Sequence, residues 1–546
     1  VPDETTAPDG SPTDMGRTEA FRGRRVAVNS LAVVLGQGVF TVLGLVTTPV
    51  QLSHIGLVEF GLWVIITTAV GYITVVDPGF GDMITRYGAM AHVRGDRAVG
   101  ARLCSLATLV WIGFGLLGVP LVLWAVPWGV PHLHLAHALR GVAIHYFYWG
   151  YAITIAGCVT AIMSARLTAI GDQWLVTLID AVTRVVYCGV LLGLLFDGFK
   201  LSALVIATFV QMGLSFAVTI LFVVRRAGSP YGNPLKLHGT MVREVIRFGS
   251  WLQLGGVLEA LTYETDPLVI GTFVSVARTG TYGISQRAAR QTTYFGFIAQ
   301  ESILLAMSAS HAAGEGLAAM RRMYTRANRL VGILGGLIGG AMIGMAPVFL
   351  AAWLGRFYAD ADLATVLAVL ALLLGLPRPA AAASIMAMGR VGLGVRAQAA
   401  AFVVNLVLTL ALVEPLGMYG VLLATVLAKL AATSYLLVRY HRLVEGDARE
   451  LLFSWLNKLV LAMVLGAGAD RVVLAFLPHS VEHQRFPALA AFVLLGGVYT
   501  AIFTLVVRAT RYFSKVDMDW FAQILPARLG RLVGGPTVGR VLGIEP

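Results

Sequence analysis

Apolar positions in this chain come in unbroken runs rather than in helical stripes. About fourteen stretches of roughly 20 predominantly apolar residues, the length an α-helix needs to cross a bilayer, begin near Val26, Phe60, Leu103, Val142, Leu175, Leu201, Val245, Thr281, Leu330, Leu363, Ala397, Met418, Leu456 and Phe486. Short polar segments separate them. The pattern predicts an all-α polytopic membrane protein, because helices pair their own backbone groups and lipid offers no other partner. Residues 1–25 carry Pro, Thr, Asp and Gly without apolar periodicity and are expected to be a disordered tail. They are too polar for a signal peptide, so the first run should act as an uncleaved anchor.

The runs repeat. Ala169-Ile170-Gly171-Asp172 answers Ala387-Met388-Gly389-Arg390, Ala207-Thr208-Phe209-Val210 answers Ala424-Thr425-Val426-Leu427, and Phe60-Gly61 answers Tyr282-Gly283. Each pair is about 220 residues apart, and an even number of spans between them preserves orientation, so the repeat is parallel. This predicts two six-helix lobes, 26–226 and 245–440, joined by a linker at 227–244. Two extra helices follow at 441–510. A basic tail at 511–546, with Trp520, Phe521, Ile524 and Leu525 among arginines, should lie on the membrane surface. The glycines of the ninth run, Gly335, Gly336, Gly339, Gly340 and Gly344, read as a packing surface for close helix contact.

Charge sets the expected topology. Arg17, Arg22, Arg24 and Arg25 in the tail share a side with the arginine-rich loops around Arg94, Arg225 and Arg321, while the alternate loops hold few cations. Positive loops stay inside, so both termini should be cytoplasmic. The composition, 57% hydrophobic and 13% charged, and a mean hydropathy of +0.78 exclude a soluble enzyme. Anionic lipid at the inner leaflet accounts for the net charge of +12, with no nucleic-acid partner implied. Cys104, Cys158 and Cys188 show no bridging or CxxC pattern and read as packing residues.

Against this apolar background the polar residues stand out. The stretch from Glu244 to Leu305 reads as a hairpin of helices Val245–Ile270 and Thr281–Ser308. It carries Glu259, Glu264 and Asp266 on one arm and Arg287, Arg290, Gln291, Gln300 and Glu301 on the other. Each charge facing lipid would cost about 2.5 to 3.5 kcal/mol. Helical spacing puts Glu259, Tyr263 and Asp266 on one face and Arg287, Arg290, Tyr294 and Glu301 on another, a polar surface suited to the wet interior of a transporter. Further polar groups within spans are Gln37, Asp77 in the break Asp77-Pro78-Gly79, the four-apart pair Asp180 and Arg184, Arg378 in a Pro-Arg-Pro kink, and Lys429. Asp180 and Arg184 either neutralise each other on one helix face or take part in ion coupling. His132-x-His134-x-x-His137 lacks a carboxylate or thiol partner and reads as an interfacial turn rather than a metal site. No nucleophile and base pair and no phosphate-cradling loop is evident, so neither catalytic nor metal residues are expected.

From Asn29 to Tyr440 the chain resembles the oligosaccharidyl-lipid flippases, the Wzx-type polysaccharide exporters of the multidrug/oligosaccharidyl-lipid/polysaccharide exporter superfamily. The resemblance rests on Phe60-Gly61-Leu62-Trp63 through Asp77-x-Gly79-x-Gly81 to Arg86-Tyr87, on Asp266 through Gly280-x-Tyr282-Gly283-Ile284, and on Ala387-Met388-Gly389-Arg390. It implies alternating access and movement of a polyprenyl-diphosphate-linked glycan to the outer leaflet of a bacterial inner membrane, in O-antigen-type polysaccharide synthesis beside polymerase machinery. Arg287, Arg290, Arg378 and Lys429 then become candidates for the diphosphate, since guanidinium groups match phosphate oxygens in pairs. The competing reading pairs Arg287 and Arg290 with Glu264 and Asp266. A proton or sodium ion on Glu259 or Asp266 is expected to couple the cycle, with no other cofactor. The alternatives are a multidrug exporter of the same superfamily, a peptidoglycan-precursor flippase, and, from another class, a membrane glycosyltransferase or polymerase. The short external loops argue against the last.

Overall fold

The computed structural model describes residues 12–75, 77, 79–237, 254–292, 307, 314–356, 358–390, 392–447, 455–478 and 480–518. These residues are helical and contain no strand. In chain order the main helices are α1 Pro12–Val75, α2 Phe80–Val93, α3 Arg97–Gly129, α4 His137–Ala169, α5 Gln173–Phe196, α6 Lys200–Ala227, α7 Asp266–Phe273, α8 Val276–Arg290, α9 Gly316–Leu354, α10 Ala359–Leu374, α11 Arg378–Ala387, α12 Gly392–Leu416, α13 Met418–Leu443, α14 Asn457–Phe476 and α15 Arg485–Ala509. Among the described residues, 11 segments are long and apolar enough to cross a membrane. The chain is therefore a multi-pass membrane protein, as its apolar runs predict. The runs from Val26 and Phe60 are both carried by α1, which is two helices joined at a kink at Gly56, where φ is 77 and ψ 172. The runs from Val245 and Thr281 extend beyond the described residues, as does the tail from residue 519.

Two of the segments matched in the sequence end their helices in the same way. At the end of α4, Asp172 N–H reaches Leu167 C=O at 3.1 Å and Gly171 N–H reaches Thr168 C=O at 2.9 Å. At the end of α11, Arg390 N–H reaches Ile385 C=O at 2.9 Å and Gly389 N–H reaches Met386 C=O at 3.0 Å. Both are Schellman caps closed by a left-handed glycine, Gly171 at φ 87 and Gly389 at φ 70, a conformation that burdens any residue with a Cβ.

The chain divides into two compact units, one of Val1–Val46, Pro78–Leu121 and Tyr151–Gly249, the other of Thr47–Asp77, Val122–Gly150 and Ser250–Pro546. In the first, Asn29 ties α1 to the α4–α5 corner: its Nδ2 donates to Gly171 C=O at 3.3 Å and its Oδ1 accepts from Trp174 N–H at 3.0 Å.

In the second unit α9 is the central strut. Its glycines present two faces, as the sequence predicts of a packing stripe. A Cβ on Gly335 or Gly339 would strike Leu376 or Leu373 at 2.6 and 2.7 Å, and one on Gly336 or Gly340 would strike Leu459 at 2.7 Å or the Tyr499 hydroxyl at 2.0 Å. The helix bends near Met345, where φ is −109 and ψ 17. Pro347 explains the bend, since it has no N–H to give the carbonyl of Ile343. Arg471 of α14 fills that vacancy. Its Nε and Nη2 donate to Ile343 C=O at 3.2 and 2.8 Å, while Nη1 and Nη2 donate to the two Asp362 oxygens of α10 at 2.9 and 2.8 Å. One guanidinium thus fastens the extra helices to two helices of the preceding bundle.

Arg471→Met strands the Asp362 carboxylate and the Ile343 carbonyl together. Because both side chains of the pair are partly exposed, the expected loss is about 1 to 3 kcal/mol, read as a lowered midpoint in thermal unfolding of detergent-purified protein. Asp362→Asn in the Arg471→Met background should cost little more.

Candidate functional site

The hairpin departs from the expected pair of unbroken helices in a way its prolines explain. The first arm is helical over 254–263, turns at Glu264 and Thr265, and restarts as α7 at Asp266. Pro267 has no N–H for the carbonyl of Tyr263 and restricts the residue before it, so the ladder breaks there. Asp266 therefore does not continue the face of Glu259 and Tyr263. The second arm begins earlier than expected, at Val276, where the Ser275 hydroxyl oxygen accepts from Arg278 N–H at 3.2 Å as an N-cap.

Asp266 is 1% exposed. Its Oδ2 accepts from the Tyr282 hydroxyl of α8 at 3.1 Å and the Thr425 hydroxyl of α13 at 2.9 Å. Asn405 of α12 supports the second bond, donating its Nδ2 to the Thr425 oxygen at 3.2 Å. Four helices thus meet at one carboxylate through neutral donors. No cation bridges Asp266 among the described residues, which corrects its expected pairing with an arginine. One turn along α12 from Asn405, the buried Thr409 hydroxyl has no hydrogen-bond partner.

A second cluster gathers Glu259, Tyr263, Arg378 and Lys429 around Gln398. Arg378 Nη2 donates to Gln398 Oε1 at 2.6 Å, and its Nη1 lies 3.8 Å from Glu259. Lys429 Nζ sits 3.4 Å from the centre of the Tyr263 ring, a cation–π contact made with little water around it. Gln398 is 1% exposed, and its side chain lies beside the Tyr263 hydroxyl, with neither Nε2 nor that hydroxyl in a well-formed hydrogen bond. Two cations and two polar atoms capable of donating therefore lie together, facing one weakly held carboxylate.

The remaining arginines go elsewhere. Arg290 meets Glu264 at 3.4 Å, as one of the two expected pairings has it, but both groups are well exposed and the pair is worth little. Arg287 donates to the Thr48 hydroxyl at 2.8 Å and to Gln51 Oε1 at 3.0 Å, and lies 4.6 Å from the centre of the Phe60 ring. Beneath it α1 and α8 touch backbone to backbone: a Cβ on Gly61 would lie 2.0 Å from Val276 C=O, and one on Gly280 2.4 Å from Leu57 C=O. The repeat partners Phe60-Gly61 and Tyr282-Gly283 thus form one contact. Gln291 donates to Arg287 C=O at 3.1 Å, and its Oε1 is buried without a partner.

In the other unit, Asp180 and Arg184 are both exposed and do not form the ion pair that their spacing allows. Arg184 instead lies over Phe40 and Tyr187, at 5.9 and 5.4 Å from the ring centres, one turn of α1 from the half-buried Gln37. Asp77 is half-buried in the expected break between α1 and α2, where Gly79 takes φ 80. Tyr294 and Glu301 lie outside the described residues. His132 donates Nδ1–H to Trp128 C=O at 2.8 Å with its ring against the indole, the arrangement of an interfacial turn. Sequence reasoning missed Gln398, Asn405, Thr425, Thr48 and Gln51. Each is a polar residue within an apolar run, a signal shared with many threonines that bond only their own helix.

Residues 152–336 match the model of a family described as "Polysaccharide biosynthesis protein". Among solved structures the chain is similar to the lipid II flippase MurJ in an inward closed conformation, at 15% identity and TM-score 0.62, over 88% of this chain and 99% of that one. An inward-facing multidrug resistance MATE family transporter of the MOP superfamily aligns at 14% identity and TM-score 0.58, over 74% and 94%. A MOP superfamily transporter from Pyrococcus furiosus, described as having a binding pocket of reverse polarity, aligns at 14% and 0.55, over 77% and 95%. No curated protein matches the chain. The chain has the fold of these flippases and transporters, which are not enzymes, and the match agrees with the resemblance read from the sequence.

Asp266→Leu leaves two buried hydroxyls without an acceptor and is expected to cost about 2 to 5 kcal/mol, whereas Asp266→Asn retains an acceptor and should cost less than half of that. Thermal melts of the two variants in one detergent check the ranking. Gly280→Leu cannot be accommodated against Leu57, and an engineered cysteine pair across the α1–α8 contact should lose crosslinking in that variant while forming in its parent.

Proposed function

We propose that this chain flips a polyprenyl-diphosphate-linked oligosaccharide from the cytoplasmic to the outer leaflet of a bacterial inner membrane, for O-antigen-type polysaccharide synthesis. Two six-helix lobes would alternate access, with both termini in the cytoplasm and a polysaccharide polymerase taking the product. The observation that carries this reading is the Gln398 cluster. Its two cations, with the neighbouring Gln398 Nε2 and Tyr263 hydroxyl as further donors, ask for an acceptor-rich anion. A diphosphate offers such oxygens, and a cationic drug does not. The family description matched by residues 152–336 supports the same substrate class.

Glu259, 3.8 Å from Arg378, acts in this proposal as a stand-in that the diphosphate displaces. Glu264 plays the same part toward Arg290. Arg287 closes the α1–α8 contact, and breaking its bonds to Thr48 and Gln51 releases it for the substrate when that contact opens. Asp266 is the coupling residue. A proton or sodium ion on it satisfies a carboxylate that otherwise has only neutral donors, and the ion's arrival or departure shifts four helices at once. Asp180 and Arg184, with Gln37 nearby, supply polar surface in the other unit.

A second reading, a cation-coupled multidrug exporter, draws on the exposed carboxylates of Glu259 and Glu264. In proteoliposomes, a fluorescent polyprenyl-diphosphate sugar should change leaflet when a proton or sodium gradient is imposed. Arg378→Gln and Lys429→Met should each slow it about tenfold, the loss of one charge-assisted contact, and Asp266→Asn should remove the dependence on the gradient. Unchanged movement in both cation variants refutes the diphosphate site. Failure of the lipid to move, with gradient-driven accumulation of a cationic dye, assigns the chain to the exporter reading.

A further inference from the structure

The extra helices bury one group that neither the fold nor the proposed transport cycle uses. Asp470 lies on α14 six residues before its last residue, Phe476, about 9 Å along the axis. It is 0% exposed, so it faces neither lipid nor water. Neither carboxylate oxygen has a hydrogen-bond partner.

Its neighbours are accounted for. On its own helix, Arg471 is engaged by Asp362 and the Ile343 carbonyl. From α10, Asp362 is held in turn by that arginine. From α15, Tyr499 spends its hydroxyl proton on Gly336 C=O at 2.6 Å. From α9 comes Gly344, so close that a Cβ there would meet Asp470 Oδ2 at 2.7 Å and Cβ at 2.9 Å. An ionised carboxylate in such a place lacks the donors that repay its lost hydration. A metal ion would need several oxygen ligands and room for them, and the contact with Gly344 leaves no room on that side. A proton needs none.

We propose that Asp470 is a proton-binding site of the accessory helix pair, occupied in this conformation, whose proton exchanges only when α14 moves away from Gly344. The bend of α9 at Met345, one residue beyond that contact, puts a pivot beside it, where Arg471 holds the freed carbonyl of Ile343. Arg471 remains the anchor about which α14 turns. The inference rests on this packing alone and is independent of what the chain carries.

Infrared spectra of the full-length reconstituted protein at neutral pH test it. The wild type should show a carboxylic-acid C=O band that shifts in D2O slowly, over a time set by helix movement. Asp470→Asn should lose that band, and Gly344→Ala, which pushes the helices apart, should make the D2O shift fast. If Asp470→Asn does not assemble, Asp470→Glu should move the band to the position of a glutamic acid. A carboxylic-acid region unchanged by substitution at Asp470 overturns the site. Exchange equally fast in the wild type and Gly344→Ala overturns the role of the contact.

Discussion

A backbone carbonyl deprived of its donor has no water to turn to inside a membrane, and this constraint organises the larger unit of the protein. Pro347 creates such a carbonyl at Ile343, and Arg471 answers it from a different helix. Because a guanidinium has donors to spare, the same side chain takes hold of Asp362 as well. A defect in one helix thereby becomes the joint among three. Pro267 works in the same way on a smaller scale, ending one helical segment at Tyr263 so that Asp266 begins another and points its carboxylate at Tyr282 and Thr425.

The segments that answer each other in the sequence share a backbone device and differ in chemistry. The caps at Gly171 and Gly389 are the same motif with nearly the same bond lengths. Their side-chain counterparts diverge. Thr208 bonds the carbonyl of Leu204 on its own helix, whereas its repeat partner Thr425 crosses to Asp266. A helix-internal bond leaves a threonine mute, and a bond between helices makes it a coupling element. The divergence puts the buried carboxylate network in one half and leaves Asp180 and Arg184 exposed and unbridged in the other.

Within the larger unit the polar groups fall into three functional settings. Asp266 is fully buried among neutral donors, the Gln398 cluster is rich in donors and half-open, and the Arg287 contact lies over touching backbones. In the proposed cycle the group held by hydroxyls would answer a small ion, the donor-rich one an anion, and the one spanning two helices their separation. An ion-coupled carrier of an anionic lipid needs each of these responses, which is why the reading as a flippase draws on all three.

The sequence by itself determined the architecture: long apolar runs have one stable solution in lipid, and the break after α1, the break at Pro377-Arg378 and the glycine faces of α9 were legible as local chemistry. It also marked Asp266, Arg287, Arg290, Arg378 and Lys429 as groups hydrocarbon would not tolerate. Only the tertiary structure decided their partners. Arg287 and Asp266, which one sequence reading pairs across the hairpin, part company because Pro267 rotates one away and Thr48 with Gln51 capture the other. Gln398 and Asp470 drew no notice in the sequence because a single polar residue in an apolar run looks alike whether it faces lipid, water or a neighbouring helix. Periodicity is a property of one helix, whereas satisfying a buried polar atom is a property of the several helices that meet around it.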